Sequence, residues 1–361
     1  MGKTKKKILF VCPYPYDLAA GQRLKFEPHF DRLKEEGYVL DQSCFMNKRL
    51  WDLAYKQGNY LEKLFWTLKG LIERILLIFA LPRYDVVYIF MYVFPFGPAI
   101  LERLFRIFSR KLVYDIEDNI ISDFSSNRTR LIDLFKSKGK YQFLIKKSDA
   151  VIASTPDLAM KCDVISGQKK SIFIPPTLDN KRFFPRHSSI KNKKLIIGWT
   201  GTFSSKPYLD IVMPSLEALS KERDFKLRII GNFEMTNPIL DIEIKQWNER
   251  EEVRHLQDID IGLYPLPQEE DWVSGKSGLK AMQYMAIGIP PICTAIGNVL
   301  NFIDDGVNGI LVFEESEWKH KLKELIDDEK KRNIIGKKAR ETFLSKFSKK
   351  SISKLYLETL N

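Results

Sequence analysis

Short apolar runs alternate with helical patterns along the whole chain, and this alternation leaves few folds open to it. KILFVC at 7–12 is ended by Pro13, a loop reaches Gly21, and Phe26, Phe30 and Leu33 then share one helical face that stops at Gly37. YVLDQSCF at 38–45 returns to a strand pattern, and strand-like runs follow at 85–90, 111–114, 150–153 and 171–174, separated by helical patterns such as 99–108. A polar stretch at 185–194 (PRHSSIKNKK) interrupts the series, which restarts with LIIGW at 195–199 and a loop opened by Gly201. Leu209, Val212, Leu216 and Leu219 then fall on one side of a helix, and KLRIIG, DIGLYPL, IPPICT and NGILVF supply further strands. Strands regularly separated by helices predict parallel, doubly wound α/β sheets. The interruption predicts two of them, in domains 1–187 and 188–345, with a C-terminal helix over 346–361 packing back towards the first domain.

A chain of 361 residues is long enough for two such domains, each with its own core. The four cysteines, Cys12, Cys44, Cys162 and Cys293, stand far apart with no zinc-ligand spacing, which points away from a disulfide framework or structural metal and towards a reducing compartment. Five apolar residues before Pro13 are too few for the core of a signal peptide, and no run of about eighteen uncharged apolar residues predicts a spanning helix. Residues 1–190 hold 32 basic and 20 acidic side chains, a net +12, whereas residues 191–361 hold 26 of each. The excess suits an anionic partner for the first half, and the absence of aromatic-basic interleaving argues against nucleic acid. The segment 60–81 (YLEKLFWTLKGLIERILLIFAL) is amphipathic, which is compatible with a helix lying in a membrane interface and with one packed on the sheet.

The most informative stretch is GKSGLKAMQYMAIGIPPICTAIGN at 275–298. Gly278 lets the backbone approach a ligand at a helix start, where free N–H groups favour phosphate. Gln283 lies one and a half turns further on, within reach of a ribose hydroxyl.

This string resembles the donor-binding segment of family-four retaining glycosyltransferases. IGWTGTFSSKPYL at 197–209 resembles their first C-terminal-domain loop, and DIDIGLYPLP at 258–267 the strand before the donor motif. GVNGILV at 306–312, Trp318 and the KKAR helix near 337–340 are similar to their closing elements. The N-terminal stretch from LFVCPYPYDLAAGQR, with KLVYDIEDN and SDAVIASTPDLA, resembles their acceptor-side domain. The resemblance implies an α/β fold of GT-B type, two facing Rossmann-like doubly wound domains with an interdomain cleft.

Residue by residue, it implies donor contacts from Gly21, Arg23, Gly201, Thr202, Lys206, Lys276, Ser277, Gly278, Leu279 and Gln283. Lys206 falls on the diphosphate-binding lysine and is a catalytic assignment, as are Glu117 and Asp118 as contacts to sugar hydroxyls. Thr202 stands where many members have arginine, and Gly275 and Gln283 where the family has its two donor-motif glutamates. A glutamate at 283 is therefore expected to hold a nucleotide at least as well. None of His29, His187, His255 and His320 has nucleophile–base spacing.

The function implied is a retaining transfer of a sugar from a nucleotide-sugar to a glycan or lipid-linked acceptor, in bacterial surface polysaccharide synthesis. No metal and no cofactor besides the donor are expected. The expected location is cytoplasmic, peripheral on an anionic membrane face. The alternatives are a non-catalytic nucleotide-binding partner subunit of the same fold and a nucleotide-sugar epimerase.

Overall fold

The computed structural model describes residues 6–54, 56–117, 138–186, 194–270, 273 and 275–361. The chain divides into two compact units, Met1–Thr177 with Ile352–Asn361, and Leu178–Ser351. In the first unit, β1 (Lys7–Cys12), β2 (Val39–Cys44), β3 (Val86–Phe90), β4 (Leu112–Ile116), β5 (Ala150–Ala153) and β6 (Ser171–Phe173) form one sheet in the order β2-β1-β3-β4-β5-β6. Every pairing is parallel. In the second, β7 (Leu195–Thr200), β8 (Phe225–Gly231), β9 (Ile242–Gln246), β10 (Ile261–Tyr264), β11 (Pro291–Thr294) and β12 (Ile310–Val312) form another, β12-β11-β10-β7-β8-β9. It too is parallel throughout.

Along the chain the helices used below are α1 (Phe30–Glu35), α2 (Lys48–Ala54), α3 (Tyr60–Ile78), α4 (Ile100–Phe108), α5 (Lys138–Lys147), α6 (Pro156–Ser166), α7 (Lys206–Ser220), α8 (Glu252–Gln257), α9 (Leu279–Ile287), α10 (Trp318–Asp327), α11 (Glu329–Lys346) and α12 (Lys349–Leu360). Because strand side chains alternate, each sheet buries two faces. In the first unit Leu9, Val11, Val87 and Tyr114 pack beneath α4, α5 and α6, while Ile8, Phe10, Tyr88 and Val113 pack beneath α1 and α12 through Phe30, Leu33, Ile352 and Tyr356. In the second unit Ile197, Trp199, Leu227 and Leu263 lie under Leu209 and Leu216 of α7 and Leu322 of α10.

The first unit ends at Thr177, ten residues before the boundary expected from composition, because 178–186 bond to the second unit's own elements. Arg182 pairs with Glu249 and Glu252, Arg186 pairs with Asp258, and the Phe183 carbonyl accepts from Arg340. Part of the polar stretch, 187–193, lies outside the described residues. β9 is a strand that the sequence reading did not anticipate. Its IEIKQ pattern places Glu243 in an ion pair with Arg228 of the neighbouring strand, an edge arrangement with only alternate apolar positions.

Candidate functional site

Open parallel sheets bind ligands beyond the carboxyl ends of their strands, where the direction of winding reverses. In the second unit that point lies between β7 and β10. β7 runs into Gly201, where a Cβ would sit 2.2 Å from the Trp199 ring and 2.6 Å from the Ser205 hydroxyl. No side chain fits there. Thr202 and Ser205 form a capping box around the short turn Phe203–Ser205, so the loop carries its own hydrogen bonds before α7 begins at Lys206. Lys206 Nζ lies 2.9 Å from both carboxylate oxygens of Asp210, one turn along the same helix.

Beside this loop, α9 is seated on the sheet by Tyr284, whose ring occupies the space above Gly262 and whose hydroxyl donates to the Gly198 and Leu263 carbonyls at 3.3 and 3.2 Å. Gly278 caps α9 with φ +80°, and a Cβ there would meet Phe302 at 2.9 Å. Both facts demand glycine. Asn298 donates to the Ser277 carbonyl at 2.8 Å and so fixes the approach to the helix.

Lys280, in the first turn of α9, was not singled out from the sequence. Its ammonium lies 4.7 Å from the centroid of the Trp199 ring, the same ring that closes on Gly201. Among the described residues no carboxylate lies within 4.0 Å of it. Burial, followed by the charge of Lys276, pushes its pKa down to about 8. Two lysines thus converge on a helix N-terminus whose first N–H groups lack intrahelical partners, an arrangement that favours an anion. Lys206 and Lys276, Ser277, Gly278 and Leu279 lie on the two segments that Trp199 bridges.

Gln283 is buried, and its Nε2 donates to Glu252 Oε1 at 3.0 Å. Glu252 also accepts from Trp247 Nε1 at 3.2 Å and pairs with Arg182 at 3.1 Å. This changes what substitution at 283 does, because a carboxylate would now face a carboxylate. Gln283→Glu is expected to lower unfolding free energy by about 1–3 kcal/mol, the cost of losing a buried donor, rather than to improve the site. Urea unfolding checks this, and wild-type stability in the variant would show that Glu252 does not hold Gln283.

The first unit winds both ways from β1 and β3, and the loop after β1 carries Gly21. A Cβ on Gly21 would meet Glu117 Oε2 at 2.4 Å, so the structure brings these two predicted residues together. Arg23 ends the same short helical turn, Ala20–Arg23. Asp118 lies outside the described residues. Beneath Glu117, Lys25 and Asp115 form a fully buried ion pair at 2.6 Å, and Tyr88 donates its hydroxyl to Asp115. Burial pushes the Asp115 carboxyl up, against the pull of Lys25. Glu27, likewise raised by burial, accepts from Gln22 at 3.0 Å and from the Asp17 backbone at 3.0 Å. Neither carboxylate was singled out from the sequence. His29 is a core residue, its ring nitrogens 2.8 and 3.0 Å from the Ser353 and Thr177 hydroxyls. Among the described residues, no three His, Cys, Asp or Glu side chains gather as a metal site would require.

Comparison with known proteins agrees with this layout. Residues 180–342 match the family described as Glycosyl transferases group 1. The capsular polysaccharide biosynthesis glycosyltransferase CapM of Staphylococcus aureus is 24% identical over 189 residues, 48% of each chain. The chain spans about half the length of the curated relatives it matches. Sucrose-phosphate synthase from Thermosynechococcus elongatus superposes with a TM-score of 0.71 at 14% identity, over 98% of this chain and 99% of its own. Anabaena HepE, crystallised with UDP and glucose, does so with a TM-score of 0.66 at 16% identity, over 98% of this chain and 99% of its own. The protein thus has a GT-B fold of two Rossmann-like domains, and residues 180–342, most of its second unit, match the group 1 glycosyl transferases.

Proposed function

We propose that this protein moves a sugar, with retention, from a nucleotide-sugar to a glycan or lipid-linked acceptor. The observation that carries the reading is the Lys280 ammonium at the start of α9, over the Trp199 ring and inside the segment that matches the family. A diphosphate supplies an anion for this ammonium. In this reading the N–H groups after Gly278 and the Lys280 ammonium hold the diphosphate, and Lys206 exchanges Asp210 for a phosphate oxygen when the donor arrives. The Gln283 amide oxygen accepts from a ribose hydroxyl while its nitrogen stays on Glu252. Glu117, packed on Gly21, accepts from hydroxyls of the sugar.

Retention fits a same-face attack, in which the departing diphosphate oxygen takes the acceptor's proton as the new glycosidic bond forms. Such a step needs no protein base, and the buried His29 is consistent with that. Rate enhancement then comes from positioning and from stabilising charge on the leaving group. UDP is the first nucleotide to try, since HepE is seen with UDP and with UDP-glucose. A surface polysaccharide acceptor is suggested by CapM, named for capsular polysaccharide biosynthesis.

The test is transfer or donor hydrolysis by the pure protein with a panel of nucleotide-sugars. Lys206→Ala is expected to lower the rate about a hundredfold or more, as for loss of one preorganised charge, with the fold intact. Unchanged activity would remove Lys206 from the site. The glycine at 275, where the family's first glutamate would stand, favours a second reading, a nucleotide-binding partner subunit. Tight UDP binding with no turnover on any donor would support that reading instead.

A further inference from the structure

Helix α3 turns its apolar side outward. Leu61, Phe65, Leu68, Ile72, Leu76 and Phe79 recur every three or four residues, which puts them in one stripe, and each is between 49% and 85% exposed. The opposite face holds Gly70, Arg74 and Ile78, all buried. Arg74 fixes that orientation. Its guanidinium donates to the carbonyls of Val93, Cys12 and Ser43 at 3.0, 2.8 and 3.0 Å, so three segments of the unit's own chain are tied to the inner face. Gly70 allows the close approach, since a Cβ there would lie 2.8 Å from the Phe45 carbonyl oxygen. The helix cannot roll over to bury its stripe without breaking these contacts. A contiguous exposed apolar surface of this kind marks an interaction site.

We propose that this stripe docks the protein on an anionic phospholipid bilayer, with α3 lying in the plane of the interface. The reading is independent of the sugar-transfer assignment.

Charge complementarity selects lipid over a second copy of the chain. Lys63 and Lys69 flank the stripe, with their ammonium groups 5.7 and 4.9 Å from the ring centroids of Tyr60 and Trp66. Aromatic rings with cations beside them suit the headgroup level, where one end of a side chain is dry and the other wet. Helix α4, packed beside α3, adds Arg103 and Arg106 along with the exposed Ile100 and Ile107. The α3 surface also carries Glu62, paired with Arg49, and Glu73, paired with Lys69, but residues 1–190 as a whole hold a net +12, which attracts acidic headgroups and opposes the approach of a second copy. No helix among the described residues is long and apolar enough to cross a membrane, so α3 lies flat, its stripe reaching about 5–10 Å into the headgroup boundary.

Sedimentation of the full chain with vesicles tests this. The wild type is expected to bind phosphatidylcholine vesicles containing phosphatidylglycerol and not phosphatidylcholine alone. Binding should weaken as salt shortens the electrostatic reach from about 30 Å at 0.01 M to about 3 Å at 1 M. Leu61→Ser, Phe65→Ser, Ile72→Ser and Phe79→Ser together are expected to leave circular dichroism and melting unchanged and to reduce vesicle binding at least about tenfold. If that variant does not fold, the single substitutions Phe65→Ser and Phe79→Ser decide, each expected to reduce binding about threefold or more. Lys63→Glu with Lys69→Glu is expected to weaken binding to the anionic vesicles alone. Absence of wild-type binding to anionic vesicles overturns the proposal, as does full binding by the serine variants. A wild-type dimer that the serine substitutions convert to monomer, with no vesicle binding, would assign the stripe to self-association.

Discussion

At pH 7, Lys280→Met is expected to raise the melting temperature of the free protein and at the same time to lower its affinity for UDP about tenfold or more. The two effects have opposite signs because one charge causes both. Burial beside Trp199 lowers the folded-state pKa of Lys280 from the ordinary 10.5 to about 8. Between these values the unfolded chain binds a proton that the folded chain does not, so stability rises with pH across that window. Below about pH 8 the amine is charged in both states and the penalty is present in full. Methionine keeps the stem over the ring and removes the charge, a gain on the order of 1–2 kcal/mol after allowing for partial solvation. In the proposed site the same substitution removes the cation that a diphosphate would meet. Wild-type affinity should therefore fall as pH rises through about 8, while Lys280→Arg should hold its affinity there. Calorimetric titration with UDP, paired with thermal melts, measures both effects. A lower melting temperature with unchanged affinity would show Lys280 to be structural only.

The second large effect belongs to the first unit. Lys25→Met should destabilise the protein by about 3–5 kcal/mol, because it leaves Asp115 buried without its cation. Tyr88 still donates to Asp115, but a neutral donor does not replace an ammonium 2.6 Å away. Combining Lys25→Met with Asp115→Asn removes both charges and should recover most of the loss. Denaturant midpoints of the two singles and the double close the cycle. A double variant no better than Lys25→Met would place the cost in packing rather than in the orphaned carboxylate.

Which parts of this molecule could be read from its sequence follows from how far apart the interacting residues lie. The apolar runs of β1, β3, β7 and β11 announce buried parallel strands, since neither face offers water a polar side chain. β9 escapes because Glu243 and Lys245 break its pattern at an edge. The loop around Gly278 was legible from the glycine that its positive φ requires. Lys280 was not, because a lysine in a first helical turn ordinarily faces solvent and its burial depends on Trp199, on a strand 81 residues earlier. A signal was nonetheless present. LKAMQYMAI holds only Lys280 and Gln283 as strongly polar residues in a helix otherwise apolar all round, and such residues need partners or ligands. Gln283 found its partner in Glu252, 31 residues upstream. In α3 the amphipathic pattern was plain, but the pattern gives no direction. Only the carbonyls that receive Arg74 show which side is inside.

The helix Lys349–Leu360 sets an order of events during synthesis. Ile352, Tyr356 and Leu360 close the face of the first sheet that carries Ile8, Phe10, Tyr88, Val113 and Ile152. Those strands leave the ribosome early, yet their cover is complete only at Leu360, 183 residues after Thr177, a delay of roughly 10–40 s at about 5–20 residues per second. The second unit, contiguous from Leu178 to Ser351, meets no such wait. The earlier half of the chain is therefore the later to finish, and through that interval its open aromatic face is what a nascent-chain chaperone would have to shield.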